Sequence, residues 1–80
     1  MKDLQAYILI TTEPARVWEV AEATLKIDGV KMAHAVTGSY DVIAFVEAPK
    51  LDTLGAILGK ILSIRGVLRT QTAIVMPERL

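Results

Sequence analysis

The sequence predicts an α+β domain in which a four-stranded antiparallel sheet carries two helices on one face. Three observations predict it. LQAYILITT (4–12) alternates with the period of a strand. Two later segments, opening at Pro14 and Pro49, space their apolar residues as helices do. A short motif, Leu-x-Ile-x-Gly-Val, occurs twice, as LKIDGV (25–30) and LSIRGV (62–67). In each copy a helix end delivers apolar residues to the core, glycine takes a left-handed turn, and valine begins a strand. A repeated helix-to-strand junction divides the chain into two β-α-β halves.

The first strand places Leu4, Ala6, Ile8 and Ile10 on one face and Gln5, Tyr7, Leu9 and Thr11 on the other. The second face is only half polar, which suggests that it is covered too. Thr12-Glu13-Pro14 signals a helix start, with a capping hydroxyl and a proline where no N–H is needed. From Pro14 to Lys26, Val17, Val20, Ala21 and Leu25 form the apolar stripe, Trp18 lies beside it, and Glu22 precedes Lys26 by one turn. The second strand runs from Val30 to Thr37 and the third from Val42 to Ala48. Leu51, Leu54, Leu58, Ile61 and Leu62 make the stripe of the second helix, which holds Gly55 and Gly59 at a cost of roughly 1 kcal/mol each against alanine. The fourth strand is Val67 to Met76. Right-handed crossovers then give the ferredoxin-like split β-α-β fold.

Eighty residues make one domain, with a thin core of its own. Yet 52% of the residues are apolar, which favours burial through self-association. With no charged phase on the second or third strand, the face opposite the helices is left apolar. A two-fold dimer that packs this face on a second copy covers it, as in dimeric α/β-barrel assemblies. The absence of cysteine excludes disulfides and thiolate sites. Nine basic and nine acidic residues are scattered singly, without the concentrated positive face that nucleic-acid binding requires. Neither a signal peptide nor a membrane span is visible, so a soluble cytoplasmic protein is expected.

The residues point away from catalysis. His34 is the only histidine and sits between alanines, which rules out a multi-histidine metal site. There is no asparagine to pair with arginine in an acylphosphatase-type site. Phe45 and Tyr40 are the only candidates for base stacking, and neither has a basic surround. No cofactor is expected. TGSYD (37–41), between the middle strands, is either a simple reversal or the lip of a small-molecule site.

Two strings carry a resemblance. Val30, Ala33, Val36-Thr37-Gly38 and Tyr40-Asp41 fit V-x-x-A-x-x-V-T-G-x-Y-D. Ile64, Gly66-Val67, Thr70, Thr72 and Val75-Met76 fit I-x-G-V-x-x-T-x-T-x-x-V-M. In that order and at that spacing they resemble the C-terminal effector-binding (RAM) module of the Lrp/AsnC transcription factors, across essentially the whole chain. Members of that family carry a preceding helix-turn-helix, whereas here Met1 stands directly before the first strand. The chain therefore resembles a stand-alone effector module.

The resemblance implies a dimer with sheets face to face, and dimers assembled into an octamer or similar ring. It implies a small-molecule effector, usually an amino acid, bound between dimers. Hetero-assembly with a DNA-binding relative is implied as well. Carried over, Thr37, Gly38, Ser39, Tyr40 and Asp41 match the ligand loop, and Thr70 and Thr72 match strand positions that point toward it. Ala73, Ile74 and Val75 match positions where the ligand response is tuned. In that picture the backbone at Gly38 admits a carboxylate, and Asp41 accepts from an α-ammonium. Two other functions compete: a dimeric ferredoxin-like enzyme of the small monooxygenase or isomerase type using His34, and a purely structural oligomerisation module.

Overall fold

The structure, a computed structural model, describes residues 3–77. Strand β1 (Leu4–Thr12) leads through a 3-10 turn (Pro14–Arg16) into helix α1 (Val17–Leu25). Strands β2 (Val30–Ala35) and β3 (Val42–Ala48) follow, then helix α2 (Leu51–Leu62) and strand β4 (Val67–Ile74). The sheet order is β2-β3-β1-β4 with every neighbour antiparallel, which is the ferredoxin-like arrangement. Among the described residues no helix is long and apolar enough to cross a membrane.

Ala6, Ile8 and Ile10 of β1 and Val42, Ala44, Val46 and Ala48 of β3 form the sheet side of the core. Val20 and Ala21 of α1 and Leu54, Ile57 and Ile61 of α2 close it from above. The helical stripes are narrower than the sequence predicts. Leu25, Leu51 and Leu62 are exposed, and Thr24 and Ile57 occupy buried positions. Each exposed leucine is the first or last residue of its helix.

Helix α1 also starts differently. The Thr12 hydroxyl donates to the Glu13 carbonyl at 3.0 Å instead of accepting from the helix, and Glu13 precedes the 3-10 turn. Among the described residues the ion pair on this helix is Arg16–Glu19 at 3.0 Å, not Glu22 with Lys26.

The two Leu-x-Ile-x-Gly-Val junctions fold alike. Val30 N–H donates to the Ile27 carbonyl at 3.0 Å, and Val67 N–H to that of Ile64 at 3.2 Å. Gly29 and Gly66 both take positive φ, 96° and 101°. Each glycine carbonyl then accepts from a glutamate N–H on the neighbouring segment, Glu47 for Gly29 at 2.9 Å and Glu13 for Gly66 at 2.8 Å. After each valine the strand carries one extra residue: Val30 pairs with Val46 but Met32 with Phe45, and Val67 pairs with Thr12 but Arg69 with Thr11. Lys31 and Leu68 are thus bulged, and a one-residue bulge reverses the faces of everything downstream.

The bulge at Lys31 revises the phases of β2. Ala33 and Ala35 pair with the buried Ala44 and Val42, so they face the helices, while Met32 and His34 share the helix-free face with Phe45 and Ile43. That face also carries Tyr7 and Leu9, and the Tyr7 and Phe45 rings meet at 5.0 Å. The middle of this face is apolar, as the sequence predicts, while Gln5, Glu47, Thr11, Arg69 and Gln71 lie around it on the same face. At Gly55 and Gly59 of α2 a Cβ would meet nothing within 4 Å beyond the helix's own backbone, so among the described residues no other segment approaches them.

Candidate functional site

The segment from Val36 to Asp41 crosses from β2 to β3 and is tied down at its base. Val36 N–H donates to the Asp41 carbonyl and Asp41 N–H to the Ile10 carbonyl, both at 2.9 Å. The first bond ends β2 at Ala35, before the Thr37 predicted from sequence. The half-buried Asp41 carboxylate accepts the Thr12 N–H through Oδ2 at 2.8 Å. That bond holds the end of β1, where the β4 register shifts.

Beyond the base the loop is open. Gly38 has φ 106°, and a Cβ there would meet nothing within 4 Å. Thr37, Gly38 and Ser39 are exposed. Tyr40 turns back over the sheet, and its hydroxyl donates to Gln71 Oε1 of β4 at 2.5 Å. Under this bridge lies a cavity of about 300 Å³ lined by Leu9, Thr11, Tyr40, Arg69, Thr70 and Gln71. Arg69 and Gln71 pair with Thr11 and Leu9, so all four share the helix-free face.

Of the residues singled out in the sequence, Tyr40 and Thr70 meet at this cavity. Asp41 anchors the loop beside it through Thr12. Thr70, Thr72 and Ile74 pair with Ile10, Ile8 and Ala6 and so project toward the helix side, Thr70 only bordering the cavity, while Ala73 pairs with Tyr7 on the other face. Leu9, Thr11, Arg69 and Gln71 are lining residues that the sequence did not mark as site residues. The signal for Leu9 and Thr11 was their place on the second face of β1. For Arg69 and Gln71 it was hidden by the bulge at Leu68.

His34 is exposed on β2 opposite Ile43 and forms no side-chain hydrogen bond among the described residues. It borders a shallow depression with Trp18 and Glu22, at the far edge of the sheet from the Tyr40 cavity.

The family model described as the Lrp/AsnC ligand binding domain matches residues 5–79. The HTH-type transcriptional regulator LysM of Sulfurisphaera tokodaii is 28% identical over 75 residues, covering 92% of this chain and 54% of LysM. The chain thus spans about half the length of the curated relatives it matches. Among solved structures, TTHA0845 from Thermus thermophilus superposes with a TM-score of 0.89 at 31% identity, covering 96% of this chain and 98% of that one. The transcriptional regulator NMB0573 of Neisseria meningitidis, solved as a complex with L-Met, gives a TM-score of 0.80 at 27% identity over 94% of this chain and 51% of its own. A family match across nearly the whole described chain, on the fold and loop found here, places the protein in the Lrp/AsnC ligand binding domain family.

Proposed function

We propose that the chain is a non-enzymatic ligand-sensing domain that binds a small metabolite, a free amino acid being the first candidate, at the cavity beside Tyr40. The observation that carries this reading is the bridge from Tyr40 to Gln71 over a polar-lined cavity of about 300 Å³. The fold around it is shared with a regulator solved with L-Met bound. A ligand that touches both loop and β4 favours the bridged arrangement by its differential affinity for it. In this reading Gly38, Ser39, Tyr40, Asp41 and Thr70 serve the site, with the backbone at Gly38 open to close approach. Thr72 and Ile74, which project toward the helix side, lie outside this cavity, and Thr37 stands on the exposed part of the loop.

The domain works as a homo-oligomer in this proposal. Tyr7, Met32, Ile43 and Phe45 make the middle of the helix-free face apolar, which supports a two-fold dimer packed there, with the Tyr40 cavity toward the β4 edge left to the ligand. Dimers then assemble into an octamer or similar ring, in which the free loop tip meets the next dimer. Its relatives are named as HTH-type transcriptional regulators, so co-assembly with a DNA-binding relative is the proposed route to transcription.

The test is calorimetric titration with the twenty amino acids, L-methionine among them, with light scattering to follow assembly. Saturable binding by at least one, on an oligomeric protein, is expected. An intact oligomer that none of them binds at millimolar concentration refutes the sensing role and favours a structural module.

A further inference from the structure

We propose that Glu47 and Arg69 form a reciprocal ion pair across the sheet-to-sheet dimer, each with the other residue of a second copy, and that this pair fixes the register of the interface. This rests on the dimer in the reading above and names the residues that align its two copies.

The two charges reach the helix-free face from opposite sides of β1. Glu47 of β3 lies beside Gln5, near the start of β1, and Arg69 of β4 lies beside Thr11, near its end. Outside the bulged positions they are the only acid and the only fixed cation that the described strands carry on this face. Neither forms an ion pair within the protomer among the described residues, where the one pair is Arg16–Glu19 on α1. Glu47 is nevertheless held in place. Gln5 Nε2 donates to its Oε2 at 3.1 Å, which leaves Oε1 open to a partner. Between the two charged corners lie Tyr7, Leu9, Ile43 and Phe45.

Gln5 and Thr11 stand roughly 20 Å apart along β1, at about 3.4 Å per residue. The line from Glu47 to Arg69 crosses β1 near its midpoint, between Tyr7 and Leu9. A two-fold axis that lies between two facing sheets and crosses β1 there, oblique to the strands, sets Arg69 over the partner's Glu47. By the same symmetry it sets Glu47 over the partner's Arg69. That axis also runs through the apolar patch, so one arrangement buries the patch and pairs both charges. Packed sheets stand about 10 Å apart, a gap that an arginine and a glutamate reaching toward each other close. A shifted register would press these charges against Tyr7 or Phe45 without a counter-charge, which is costly. Arg69 also lines the Tyr40 cavity, so the pair adds the partner's carboxylate to the rim of that cavity.

The experiment is sedimentation equilibrium on the full chain and two charge reversals, over a dilution series. Glu47→Arg puts two like-charged pairs into every dimer, and so does Arg69→Glu. Each should weaken the dimer by about a hundredfold or more. An equimolar mixture of the two variants should dimerise within about tenfold of the wild type, because both pairs of the mixed dimer are again opposite in sign. Glu47 and Arg69 occupy opposite corners of one protomer, so this rescue cannot arise within a chain. Circular dichroism checks that each reversal alone keeps its fold. Where one does not, Glu47→Gln and Arg69→Gln carry the test: each weakens the dimer by about tenfold, and the two together by little more than either. Reversals that dimerise like the wild type, or a mixture no tighter than its separate components, overturn the ion pair and leave the dimer and the sensing role standing. A wild type that stays monomeric at millimolar concentration overturns the pair together with the sheet-to-sheet dimer, and the amino-acid titration above then decides ligand binding separately.

Discussion

Replacing Asp41 by alanine separates the two roles that its position allows. Thr12 is only 3% exposed, and its N–H donates to Asp41 Oδ2 at 2.8 Å. Alanine removes the acceptor and leaves a buried donor that water cannot easily reach. Such an orphaned group costs about 1–3 kcal/mol. For a domain of this size each kcal/mol moves the midpoint by about 4–8 °C, so a loss of roughly 2 kcal/mol lowers it by about 8–16 °C. Asp41→Asn keeps an acceptor oxygen and gives up only the charge, and its loss should be about 1 kcal/mol or less. The assay is thermal unfolding followed by circular dichroism at one fixed protein concentration, because self-association would otherwise shift the midpoint. An Asp41→Ala protein within about 0.5 kcal/mol of the wild type would refute the anchoring role. L-methionine titration of the asparagine variant adds the functional half. Retained affinity means the carboxylate serves the loop; lost affinity in a protein that still folds means its charge serves the ligand.

Other predictions follow from the glycines and from the open face. Gly66→Ala must accept positive φ, about 1–2 kcal/mol, and its Cβ would lie 2.6 Å from Arg16 Cβ, close to the main chain. It should therefore be more destabilising in urea unfolding than Gly38→Ala, which meets open space and carries the conformational cost alone. Gly55→Ala and Gly59→Ala should each stabilise the protomer by about 0.5–1 kcal/mol, since both sites are open and helical. If either variant instead weakens assembly in light scattering, a second copy approaches that helix. Phe45→Asp, on the helix-free face against Tyr7, should shift the protein toward monomer in the same measurement, with its helical spectrum retained.

Most of the fold was legible in the sequence because β1 and β3 obey simple rules. Both alternate cleanly, and their inward residues, from Ala6 to Ile10 and from Val42 to Ala48, are the buried ones. The duplicated junction was legible for the same reason. Glycine at φ near 100° has no ordinary substitute, so the motif shows in the letters. Helix ends were less legible. Leu25, Leu51 and Leu62 continue an apolar stripe, but periodicity does not say how far the sheet extends beneath it.

Of the cavity lining, Tyr40 on the loop was legible in the sequence while Arg69 and Gln71 were not, and β4 shows why. Val67 packs against the core, so plain alternation from it sends Thr70, Thr72 and Ile74 to the helix-free face. The bulge at Leu68 reverses that outcome and sends Arg69 and Gln71 there instead. Nothing in Val-Leu-Arg-Thr marks the bulge, because it is fixed by a partner strand. Thr12 pairs with Val67, Thr11 with Arg69, and the Thr12 N–H is taken by Asp41 across the sheet. The same offset follows Val30 in the first half, where Lys31 is the extra residue, so the bulge belongs to the repeated unit rather than to one accident of packing. The TGSYD loop therefore contributes twice. Asp41 holds the end of β1 where the register of β4 shifts, and Tyr40 then meets the side chain that this register presents. If Asp41 controls that register, weakening its anchor should disturb the Tyr40–Gln71 bridge although neither residue is altered. A change in the environment of Tyr40 in the NMR spectrum of Asp41→Ala, absent in Gly38→Ala, is the expected sign. An unchanged Tyr40 would mean that the two ends of the loop act independently.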